Sequence, residues 1–84
     1  MFYVYVIQNT STGELYIGYT NDLRRRLIEH NKVGKKYTTR KEGVWSVVYY
    51  EAYKSQADAR QRELRLKKHG SGKRELYKRI SQSL

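Results

Sequence analysis

The chain has 84 residues, with 18 Lys and Arg against 8 Asp and Glu, a formal net charge of +10, nine tyrosines and no cysteine or proline. The lack of cysteine excludes a disulfide framework, thiol catalysis and a cysteine-ligated zinc module, and no stretch approaches the roughly 20 apolar residues of a membrane span. The short apolar run "FYVYVI" is no signal peptide, so a cytoplasmic protein forming one domain over residues 1–84 is expected.

Residues 2–8, "FYVYVIQ", are rich in β-branched and aromatic side chains and read as a strand. The turn formers "NTSTG" at 9–13 lead into a second strand, "ELYIGY" at 14–19, making a hairpin. Thr20 or Asn21 can cap a helix running to about Asn31, with Asp22 near its positive end. "KVGKK" at 32–36 reads as a basic loop, "KYTT" at 36–39 as a short extended piece, and "WSVVYYEAY" at 45–53 as the third strand. Ser55 and Asp58 resemble a capping box that opens a helix ending near His69-Gly70, and a last helix of about three turns follows. The order β-β-α-β-α-α predicts an α/β protein of the α+β type, a small three-stranded antiparallel sheet flanked by helices.

Charge concentrates late in the chain. Residues 60–79 hold nine basic and two acidic side chains, a local charge of +7. Such a field attracts nucleic acid, with association that salt weakens steeply. The segment lacks the bulky apolar anchors of a membrane-bound helix. Tyrosine rings can stack on bases, although most lie in strand-like runs where packing also explains them. A merely solubilising surface is the plain alternative.

Periodicity separates charges that face inward from those that do not. At about 100° per residue, Leu23, Leu27 and His30 share one face of the first helix, Arg26 flanks it, and Arg25 and Glu29 point away. Arg26 and His30 are then either a held functional pair or a local edge pair. In the second helix, Ala57, Ala59, Leu64 and Leu66 bound an apolar arc with Glu63 near its middle and Arg62 and Arg65 outside. A carboxylate facing a core is costly unless paired or metal-bound. Lys67, four residues on, can form a structural ion pair with it.

These residues coincide with a known pattern. The chain resembles the GIY-YIG nuclease family in its minimal stand-alone bacterial form, with Tyr3-Val4-Tyr5 and Tyr16-Ile17-Gly18 as the two strand motifs and ten residues between Tyr5 and Tyr16. In that family an Arg in the next helix, a His or Tyr one turn later and a Glu in a later helix complete the site, matching Arg26, His30 and Glu63. The first motif begins with Tyr3 where Gly is usual, and Tyr19 stands where some members keep a Lys.

The resemblance implies a metal-dependent endonuclease that hydrolyses DNA phosphodiesters in repair or recombination. It further implies one Mg²⁺ or Mn²⁺ held by Glu63, with Arg26 gripping phosphate. Tyr16 is the expected general base, Tyr5 hydrogen-bonds beside it, and Tyr5 or His30 is the alternative base. A free phenol has a pKa of about 10, so positive charge from Arg26, the metal or Lys36 is needed to activate it. Lys35, Lys36, Arg65, Lys67, Lys68, Lys73 and Arg74 are expected to track the nucleic-acid backbone without reading sequence. A nucleic-acid-binding module that keeps the fold without catalysis is the alternative.

Overall fold

A computed structural model describes residues 1–37, 43–68 and 70–84. Its elements are β1 (Phe2–Asn9), β2 (Leu15–Thr20), α1 (Leu23–Tyr37), β3 (Trp45–Tyr53), α2 (Gln56–Lys68) and α3 (Gly70–Arg79), followed by a 3₁₀ turn at Ser81–Ser83. This is the expected β-β-α-β-α-α order. The antiparallel sheet runs β2-β1-β3, so β1 is central and β2 an edge.

The hairpin turn is built on Asn9, whose Oδ1 accepts from the backbone N–H groups of Ser11 and Thr12 at 2.9 and 3.0 Å. Such an Asx turn gives the backbone donors of this exposed loop a protein partner and anchors it on the buried Asn9. Gly13 completes it at φ +76°, a conformation that costs glycine nothing.

Register sorts the sheet into two faces. Pairing of Val4 with Tyr19 and Val6 with Ile17 puts these side chains on one face. There they join Ala59 and Leu66 of α2 and Leu76 of α3 in the buried core. Pairing of Tyr5 with Gly18 and Ile7 with Tyr16 puts those residues on the opposite face, where His30 of α1 meets Tyr5. Covering both faces explains why Val4, Tyr5, Val6 and Ile7 are all buried instead of alternating in and out.

Three expectations need correction. Asp22, not Thr20 or Asn21, caps α1: its Oδ1 accepts from the Arg25 N–H at 3.1 Å. Thr20 ends β2, and its hydroxyl accepts from the Asp22 N–H at 3.1 Å, which leaves the carboxylate to face the helix start. The supposed loop at 32–36 is helical through Tyr37. Its lysines are good helix formers, and one internal glycine costs only about 1 kcal/mol. Lys36 and Tyr37 of the supposed extended piece belong to this helix, whereas Thr38 and Thr39 lie outside the described residues.

The buried face of α2 is also not the predicted arc. Ala57 and Leu64 are exposed, and Arg62 points inward beside Glu63 between the buried Ala59 and Leu66. The physical reason lies on β3. Glu51 projects from the α2 face of the sheet and takes both arms of the Arg62 guanidinium at 3.0 and 3.1 Å. Among the described residues no helix is long and apolar enough to cross a membrane.

Candidate active site

Tyr5 is 1% exposed at the centre of the sheet, and its hydroxyl lies 2.8 Å from Nε2 of His30. Tyr16, on the edge strand, is 39% exposed. Its ring stands edge-on to the His30 imidazole at 4.9 Å and lies 6.5 Å from the Tyr5 ring. Two strands and one helix turn therefore bring three of the expected groups into one cluster.

Gly18 makes that closeness possible. It pairs with Tyr5 across the hairpin, and a Cβ there would fall on the Tyr5 hydroxyl and 3.0 Å from the Tyr16 ring. We expect Gly18→Ala to lower stability by about 1–3 kcal/mol through overpacking, read by thermal unfolding. Loss of the Tyr5–His30 bond should follow, visible as a changed imidazole titration.

Arg26 reaches the same cluster from α1. Its Nη1 donates to Glu29 Oε1 at 3.1 Å, and the Tyr5 and Glu29 side chains hold its guanidinium firmly charged against the cost of burial. Burial raises the Tyr5 phenol pKa above its ordinary value, and the opposing pull of Arg26 does not cancel this. Burial, and then the nearby Arg26 charge, push His30 below the usual histidine value. At neutral pH the pair is therefore a protonated phenol and an uncharged imidazole. We assign the phenol as donor and Nε2 as acceptor, which puts the ring proton on Nδ1.

A depressed histidine pKa means the unfolded chain binds the proton more readily than the folded one. Stability from neutral His30 is complete above the unfolded value of about 6.5 and declines as pH falls below it toward the folded midpoint. An NMR titration should place the His30 midpoint below that of an unfolded histidine peptide, and His30→Gln should remove this part of the acid-side loss.

Glu63 comes from α2. Its side chain is 12% exposed; Lys67 Nζ donates to Oε2 at 3.0 Å, and Arg60 stands 3.8 Å from Oε1, beyond hydrogen-bond reach. The Lys67 ammonium also lies 5.4 Å from the centre of the Tyr16 ring. Lys67 thus joins the carboxylate to the tyrosine cluster, and Glu63 is close enough to bias the Tyr5 phenol. The site straddles β2, with α1 contributing Arg26 and His30 and α2 contributing Glu63 and Lys67.

Among the described residues no group of three or more His, Cys, Asp or Glu could jointly hold a metal. A lone carboxylate is nonetheless compatible with Mg²⁺, which keeps several of its waters and uses one or two protein carboxylates. Of the two Glu63 oxygens, Oε1 is the less encumbered, since Lys67 bonds to Oε2.

Of the expected backbone-tracking cations, Arg65, Lys67, Lys68, Lys73 and Arg74 are exposed. Lys35 and Lys36 fall on α1, but their side chains lie outside the description. The second contact of Lys67, with Tyr16, had no signal in the sequence, because spacing along a helix says nothing of the strand beside it. The Gln56 amide, which donates to the Tyr19 hydroxyl at 2.6 Å, was equally unreadable.

Comparison with known proteins bears on the family of the chain. The family model described as "GIY-YIG catalytic domain" matches residues 1–78. A UPF0213 protein of Bacillus pumilus is 41% identical over 76 residues, covering 89% of this chain and 76% of that protein. One from Halobacterium salinarum is 40% identical over 76 residues, covering 89% and 96%. One from Clostridium perfringens is 39% identical over 69 residues, covering 81% and 72%. These names state no activity. No solved structure gives a significant match.

Proposed function

Because the chain belongs to the GIY-YIG nuclease family, we propose that it is a divalent-metal-dependent endonuclease hydrolysing DNA phosphodiesters, with a role in repair or recombination. The observation that carries this reading is the convergence of Tyr16, His30, Arg26 and the Glu63–Lys67 pair around β2.

Each residue has a chemical task. Arg26 grips a nonbridging phosphate oxygen through its planar, permanently charged fork. The exposed Tyr16, in its phenolate form, takes a proton from water as the water oxygen attacks phosphorus. The bond from phosphorus to the 3′ oxygen then breaks, leaving a 5′-phosphate and, after protonation, a 3′-hydroxyl. Lys67, paired with Glu63, sets a cation 5.4 Å from the centre of the Tyr16 ring. Tyr5 is the weaker candidate base because burial keeps it protonated. His30 has the suitable neutral form, but its Nε2 is engaged by Tyr5. A Mg²⁺ on Glu63, when bound, would neutralise phosphate charge and stabilise the leaving oxygen.

One observation favours the second reading, a binding module without catalysis: an amine already occupies Oε2 of the carboxylate a metal would use. The purified 84-residue chain incubated with plasmid, flap and single-stranded DNA in Mg²⁺ or Mn²⁺ separates the two. Cleavage of any substrate that depends on the cation supports the enzyme. Binding with no cleavage under either metal supports the module.

A further inference from the structure

Beside Arg26 a hollow of about 360 Å³ opens between the starts of α1 and α2, bordered by Phe2, Tyr19, Asn21, Arg25, Arg26 and Gln56. The proposed hydrolysis uses only Arg26 among these. The volume lies at the small end of ligand sites, enough for one nucleoside and far too small for a duplex.

Its lining is suited to a flat heterocycle with a polar edge. Tyr19 is held from the α2 side, where Gln56 Nε2 donates to its hydroxyl at 2.6 Å and the Arg60 guanidinium lies 5.7 Å from its ring centre. Across the hollow, Arg25 Nη2 donates to Asn21 Oδ1 at 3.1 Å. These bonds use the amide nitrogen of Gln56 and the carbonyl oxygen of Asn21. The complementary halves of the two side chains, an acceptor on Gln56 and a donor on Asn21, are the pair a base edge requires. Glu29 also borders the hollow, but Arg26 at 3.1 Å and Arg25 at 3.7 Å compensate its charge, so the site does not repel a nucleotide.

We propose that this hollow is a nucleoside subsite that receives an unpaired base adjoining the phosphate held by Arg26. The preferred substrate is then single-stranded, frayed or flap nucleic acid, since a base in intact duplex must first leave its stack to enter. The inference rests on the reading of Arg26 as the phosphate grip.

The test uses the 84-residue chain carrying Glu63→Gln, without divalent cation, so binding is measured apart from cleavage. The probe is a short oligonucleotide carrying 2-aminopurine, single-stranded or annealed into a blunt duplex. The single strand should bind about tenfold more tightly, with a fluorescence change on binding, consistent with stacking of one base on an aromatic side chain. Gln56→Ala should lower single-strand affinity by about three- to tenfold, the worth of one hydrogen bond, and leave duplex affinity unchanged. Tyr19→Phe, which keeps the ring but removes the hydroxyl that orients Gln56, should produce a smaller loss of the same kind. Equal affinity for both probes, or equal losses on both in Gln56→Ala, would overturn the subsite. If the parent instead binds neither probe, it is the proposed function that fails, since a nuclease lacking only the subsite still binds duplex.

Discussion

Glu63→Gln should reduce cation-dependent cleavage by about 10²–10³-fold or more while leaving nucleic-acid binding largely intact. The substitution preserves shape and removes only the charge, so the proposed metal would lose its carboxylate ligand and Lys67 loses its ion partner. Structural cost is modest. The Glu63 carboxylate is 12% exposed, but its Lys67 partner is 43% exposed, and pairs open to solvent contribute about 0–1 kcal/mol. For a domain of this size that moves the melting temperature by no more than about 4–8 °C. Arg26→Lys is a useful companion. It keeps the positive charge and loses the fork, so it separates bidentate phosphate recognition from simple attraction. Cleavage at the parental rate by the Glu63 variant contradicts the assigned site, whatever happens to binding.

The sheet and the helix order were legible because their signals are local. Strand runs such as "FYVYVI" and "WSVVYYEAY", and the turn formers between them, depend on backbone preferences of adjacent residues. The candidate site was legible for a different reason, the coincidence of Tyr5, Tyr16, Arg26, His30 and Glu63 with a family pattern. Periodicity alone left Arg26, His30 and Glu63 balanced between functional and structural roles, and spacing suggested Lys67 only as a partner for Glu63. What stayed hidden were pairings across elements. No one-dimensional pattern links Glu51 of β3 to Arg62 of α2, and without that link the apolar residues of α2 misstate its buried face. The same blindness hides the length of α1, which continues past Asn31 to Tyr37. In the fold Asn31 accepts from the Trp45 N–H at 2.7 Å, a contact with β3 that the helix passes beyond.

The largest stability effect should come from Glu51→Gln. Each carboxylate oxygen of Glu51 receives two donors: Oε1 the Tyr53 hydroxyl at 2.6 Å and Arg62 Nε at 3.0 Å, Oε2 the Tyr49 hydroxyl at 2.6 Å and Arg62 Nη2 at 3.1 Å. Burial pushes the Glu51 pKa up, but Arg62 and the two phenols outweigh it and hold the group below the ordinary carboxylate range. Burial, and then Glu51, push the Tyr49 phenol up to about 12. An amide in place of the carboxylate turns an –NH₂ toward donors and leaves Arg62 without its counter-charge. With side chains 16% and 30% exposed the pair is not sealed from water, so we expect a loss of about 2–3 kcal/mol, or about 10–20 °C in melting temperature.

The pH dependence carries two signs. Stability from ionised Glu51 is present above the unfolded carboxylate value and lost as pH falls through its lowered folded one. Stability from the neutral Tyr49 phenol is present below about 10 and lost as pH rises toward 12. Arg62 adjoins Glu63, so the clamp also fixes the rotation of α2 that aims the proposed metal carboxylate at β2. Cleavage by Glu51→Gln, measured well below its own melting temperature, should therefore fall in kcat. Glu51→Gln combined with Arg62→Met should recover part of the stability, because the stranded charge is gone, but not the activity. Wild-type melting and wild-type kcat in Glu51→Gln would show that the clamp neither stabilises the fold nor orients α2.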